Sequence, residues 1–137
     1  MRSLVLALAL VACTPPTPST ETPADALASM PSWADAGAAG VDFRGVGQEP
    51  GWMIDIYQRN RIVLLLDYGE SIVEFPLTEP QYPQDGATLY QTRSGERMLV
   101  VTIRRSPCQD SMSGEAFPAT VEVTIDGRAL SGCGRTV

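Results

Sequence analysis

The chain of 137 residues contains no histidine and no lysine. The first absence excludes an imidazole general base and imidazole metal ligands. The second excludes Schiff-base chemistry. All ten basic residues are arginine, a bias that fits a GC-rich genome. Acid–base chemistry, if any, falls to carboxylates or tyrosine. There are three cysteines, too few for a metal cage without histidine, and a catalytic thiol would lack its histidine base. Positive charge is also scarce: sixteen acidic residues leave a net charge of −6. That balance argues against nucleic acid and against charge-driven binding to anionic membrane surfaces. No cofactor and no metal site is expected.

The start of the chain is not domain structure. A short charged opening, Met1-Arg2-Ser3, leads into the apolar run Leu4–Val11. That run is too short to span a bilayer and suits the apolar region of an export signal. Leu10-Val11-Ala12-Cys13 follows and resembles the lipobox of bacterial lipoproteins. The resemblance implies cleavage after residue 12 and acylation of Cys13, so the protein meets the membrane through its N-terminal lipid. An ordinary secretory signal that contains a cysteine is the alternative. Thr14, rather than Asp, follows the cysteine, and in Gram-negative lipoproteins this favours the outer membrane, facing the periplasm. With Cys13 committed to lipid, Cys108 and Cys133 remain as a pair in an oxidising compartment, where a disulfide is expected. Loss of Arg2 takes the net charge from −6 to −7.

Residues 13–40 read as a lipidated cysteine and a tether. The stretch T-P-P-T-P-S-T-E-T-P has no apolar period and is expected to be extended. The alanine-rich piece after it has room for one or two helical turns over Ala24–Met30, stopped by Pro31. Trp33 is the large aromatic here; docking on the domain as a latch is one expectation, simple exposure the alternative. From Val41 the pattern turns to period two. Strands are expected over Val41–Val46, Gly51–Tyr57, Arg61–Asp67, Glu70–Phe75, Thr88–Thr92, Arg97–Arg104, Thr120–Ile125 and Arg128–Cys133. In the second, Trp52, Ile54 and Ile56 face inward and Met53, Asp55 and Tyr57 outward. Asp126-Gly127 between the last two is a two-residue hairpin signal, since both positions need positive φ. About eight short strands joined by hairpins predict an all-β domain over 41–137, a small antiparallel barrel or sandwich with one disulfide. About 97 residues make a modest core, which the disulfide assists.

Two stretches are candidates for function. Gly47-Gln48-Glu49-Pro50-Gly51-Trp52 is glycine- and proline-rich ahead of an inward tryptophan. Glu49 and Trp52 there offer a carboxylate beside an aromatic platform, or else a strand corner with Trp52 plugging the barrel. Cys108-Gln109-Asp110-Ser111-Met112-Ser113-Gly114-Glu115 offers Asp110, Ser113 and Glu115 as a ligand loop, or else a loop capped by its own Asp and Ser side chains. The carboxylates a glycosidase-like pair would draw on are Glu49, Asp55, Asp110 and Glu115. Ser111 and Ser113 lack a nucleophile elbow and an activating base.

The same two stretches carry a resemblance. Gly47-x-Glu49-Pro50-x-Trp52, then Cys108-x-Asp110-x-Met112-Ser113-Gly114, Pro118 and Gly132-Cys133, resemble a family of uncharacterised Gram-negative envelope lipoproteins over about Phe43 to Gly134. The Glu-Pro-x-Trp element is similar to META-domain lipoproteins. The build as a whole is similar to membrane-bound inhibitors of c-type lysozyme. Gly51 departs from these relatives, which commonly carry an aromatic residue there. The resemblance implies a fold and a compartment and brings no catalytic residues. The expected function is a lipid-anchored, non-enzymatic module that binds an envelope protein or glycan. An inhibitor of a lysozyme-like lytic enzyme and a carboxylate-dependent hydrolase are the alternatives.

Overall fold

The computed structural model describes residues 28–137. The expected signal peptide, Cys13 and the expected tether as far as residue 27 lie outside the described residues, as does most of the helical turn expected before Pro31; Ala28 and Ser29 at its end are helical.

Alternating sequence becomes strand wherever it was expected. The strands are β1 (Val41–Gly47), β2 (Trp52–Tyr57), β3 (Arg61–Leu66), β4 (Ser71–Pro76), β5 (Thr88–Ser94) and β6 (Arg97–Arg104). After the short β7 (Cys108–Gln109) and β8 (Ala116–Phe117) come β9 (Ala119–Ile125) and β10 (Arg128–Thr136). Eight strands form one antiparallel sheet in the order β4-β3-β2-β1-β10-β9-β6-β5, and β7 pairs with β8 alone. Asp126 and Gly127 both take positive φ, 48° and 83°, as their hairpin requires.

The sheet curls into a barrel that is nearly closed. Its two edges, β4 and β5, meet without a ladder. Thr92 Oγ1 donates to the Pro76 carbonyl at 2.7 Å and Thr78 Oγ1 to the Gln91 carbonyl at 3.0 Å. The β4–β5 connection doubles back as well, with Gln81 and Leu89 exchanging backbone hydrogen bonds of 2.8 and 2.9 Å. Side chains and loop thus occupy edge groups that would otherwise template another strand.

Inward positions fill the barrel. Trp52, Ile54, Ile56, Ile62, Leu64, Phe75, Leu99, Val101, Val121 and Val123 form one buried cluster. Trp52, 3% exposed, plugs this core. Its indole lies over Gly47 and Gly132, where an added Cβ would collide with the ring.

The outward face of β1 and β2 is covered too. Residues 31–40 lie across it as a strap. A turn capped by the Ser32 hydroxyl, which donates to Asp35 Oδ2 at 2.6 Å, starts the strap, and the Ala36 carbonyl accepts from Val41 N at 3.0 Å. Ala36, Val41 and Tyr57 form a second buried cluster with Val63 against it. The part of the expected tether from Pro31 to Gly40 is therefore packed on the barrel. Asp55 and Tyr57 on the outward face of β2 are correspondingly buried, and Met53 stays partly exposed.

Candidate functional site

Beneath the strap, Arg44 on β1 and Asp55 on β2 are cross-strand partners on the outward face. They are 1% and 0% exposed. Arg44 Nε and Nη2 donate to the two Asp55 oxygens at 2.6 and 2.7 Å, and Nη2 also donates to the Pro31 carbonyl at 2.8 Å. Asp55 is thereby committed to structure. The half-buried Trp33 ring lies between two guanidinium groups, 5.0 Å from Arg44 and 4.3 Å from Arg135. It also meets Phe117 at 6.1 Å, tilted 47°. Such cation–π contacts contribute about 0.5–1 kcal/mol each at accessible sites. The latch expected of Trp33 is present.

Above the strap, the loop between β7 and β8 lies along the outside of β10. Parity explains this. Val121, Gly134 and Gly132 point inward, so Cys133 points outward, and Cys108 reaches it in a disulfide with Cα atoms 5.5 Å apart. The loop is held from within by Asp110. One carboxylate oxygen accepts from Ser113 N at 2.8 Å, Ser113 Oγ at 2.8 Å and Met112 N at 3.2 Å. The Ser113 backbone amide, then the Ser113 hydroxyl, hold the Asp110 carboxyl below its ordinary value of 3.8, against the opposing effect of burial. Gln48 Nε2 reaches the other oxygen at 3.4 Å. Glu115 pairs with Arg135 at 2.6 Å.

Between this loop and the outward face of β9–β10 lies an open groove of about 460 Å³. Gln48, Gln109, Ser111, Ser131 and Thr120 bring amides and hydroxyls to it, and the disulfide forms part of its floor. Arg104, which donates to Glu122 at 2.6 Å and to Asp85 at 3.0 Å, closes one end. These polar groups stand in a lining that is more apolar than polar, with charge at its margin, an arrangement suited to an extended ligand such as a glycan or a peptide that offers both hydrogen bonds and apolar contact.

The expected site residues fall apart in three dimensions. Asp110 lines the groove, but its carboxylate is occupied by the loop and nearly buried. Ser113 and Glu115 serve the loop's own caps and its ion pair. Trp52 is inside the core and has no surface to offer a partner, because strand parity points it inward. Glu49 is exposed in the β1–β2 loop, with φ of 52° and a cis peptide bond to Pro50. A ring on this loop belongs to Tyr68, 66% exposed, which lies on Gly51 so closely that a Cβ there would come within 2.5 Å of it. Tyr68 N also donates to the Gly51 carbonyl at 2.8 Å. Sequence reading did not single out Gln48, Gln109 or Ser131 as groove residues. Isolated amides and hydroxyls carry no motif; only the doubling-back of the disulfide loop gathers them.

Among the described residues no group of three or more His, Cys, Asp or Glu is placed to hold a metal ion. No family model, curated protein or solved structure matches the chain.

Proposed function

We propose that the chain is a lipid-anchored envelope lipoprotein whose barrel is a non-enzymatic binding module, and that the groove beside the disulfide loop is its contact surface for an envelope protein or glycan. One observation carries this reading: side chains fill the barrel, while polar groups converge in a concave surface outside it, framed by a covalently fixed loop. A binding surface benefits from such pre-organisation, because less freedom is lost on association. Three of the four candidate carboxylates of a hydrolase support the same reading, and Glu49 is the exposed fourth. Asp55, Asp110 and Glu115 are each engaged by Arg44, by the loop backbone and by Arg135. The lipobox resemblance of Cys13 supports the anchor.

The test is a thermal-shift panel on residues 14–137 with peptidoglycan fragments, c-type lysozyme and divalent metals. A groove ligand at 100 times its Kd adds about 2.7 kcal/mol, which raises the melting temperature by about 10 °C. Ser131→Arg, which fills the groove from an exposed position, should abolish that shift and leave the unliganded melting point unchanged. A shift that survives Ser131→Arg would place the contact elsewhere. Inhibition of lysozyme by the domain would narrow the function to the inhibitor reading, and turnover of peptidoglycan would overturn the non-enzymatic one.

A further inference from the structure

The strap and the groove share a wall. Phe117 is buried, ends the disulfide loop and pairs in register with Cys108; its neighbour Ala116 pairs with Gln109. Cys108 and Gln109 both line the groove. Phe117 is met from outside by the Trp33 ring. A second route starts at the same ring. Arg135 lies 4.3 Å from Trp33 and 5.1 Å from Phe117, and donates to Glu115 at 2.6 Å. The Glu115 carbonyl accepts from Asp110 N at 2.9 Å. Both routes run from Trp33 to the residues that form the groove's outer wall.

We infer that Trp33 is a positioning residue for the groove: docked between Arg135 and Phe117, it fixes the disulfide loop, so that lifting residues 31–40 off the barrel loosens the groove wall. The inference rests on the groove being the contact surface. The physical reason is that the loop is held to the barrel from outside by few side chains: Gln48 on Asp110 at one side, and Trp33 and Arg135 at the other. Its internal hydrogen bonds give it shape and the disulfide pins one end. At the Phe117 end, beyond the chain's entry into β9 and the pairing with Cys108, it is met by an aromatic contact and an ion pair whose partners both touch the indole. Removing the indole uncovers Phe117 and takes one of the two rings from the Arg135 guanidinium.

Trp33 also covers Arg44, so its loss lowers global stability, and the test must separate local from global effects. Amide exchange on residues 14–137 does so without a ligand. In Trp33→Ala, the amides of Asp110, Ser113 and Gly114, all hydrogen-bonded within the loop, should exchange at least about tenfold faster relative to those of β3 and β4. Reduction of Cys108–Cys133 by dithiothreitol should accelerate in parallel. Trp33→Phe, which keeps a ring at the contact, should restore most of the protection. Loop amides that do not respond, or that accelerate by the same factor as β3 and β4, would overturn the positioning role. Should the loop loosen while a ligand found by the thermal-shift panel binds unaltered, the groove reading falls and the positioning of the loop stands.

Discussion

Arg44 and Asp55 are a charged pair taken out of water on the outside of a barrel. Removing one partner leaves the other buried and unpaired, so Asp55→Asn should lower stability by about 3–5 kcal/mol. Replacing both by apolar residues of similar volume should recover most of that loss. Urea denaturation checks both, and a single variant within about 1 kcal/mol of the wild type would contradict the burial of the pair. Trp52→Ala should cost a similar amount, about 3–5 kcal/mol, by opening a cavity above Gly47 and Gly132. Asp110 titrates with a definite sign. Its folded pKa lies below its unfolded value, so its stabilisation is present above the unfolded value of 3.8. It is lost as the pH falls from there through the lower folded pKa. The loop amides of Met112 and Ser113 should therefore lose protection in acid below about pH 4, and Asp110→Asn should remove that pH dependence. Acid titration followed by amide exchange reads this out; loop protection that stays flat down to pH 2 would contradict the capping role.

The elements divide by how they are held. The hairpins were legible because their signals are local: Asp126-Gly127 dictates its turn and alternation dictates which side chains face the core. The disulfide loop and the strap are held by distant partners. Replacing Cys108 and Cys133 by Ser frees a loop with a sequence separation of 25, and the chain-entropy model gives a loss of about 3.5 kcal/mol. Denaturation of the double variant tests this. A chain beginning at Val41 should be less stable than one beginning at residue 28. It loses the Trp33 contacts, the Ala36 packing and the Pro31 carbonyl bound to Arg44, together worth about 3 kcal/mol or a fall of about 10 °C in melting temperature. Equal melting temperatures for the two would show that the strap adds nothing to the fold.

At the scale of the whole molecule, a filled barrel carries two outer segments, strap and loop, that meet at Trp33 and Phe117. The net charge of −6 favours a basic partner, and association with one should slow as salt rises. The sequence by itself determined the eight strands, their inward faces, the hairpin turn and the covalent pair, because each rests on neighbouring residues or on a count of cysteines. Tyr57 and Asp55 looked half-exposed from their alternation, since period two names two faces and cannot say that another segment covers the outer one. Tertiary structure decided that Pro31 to Gly40 belongs to the domain. It decided that Tyr68 lies on Gly51 while Trp52 is buried in the core, and that Gln48, Gln109 and Ser131 share a groove. Those pairings join residues tens of positions apart, and they follow from the curl of the sheet, which no local pattern encodes.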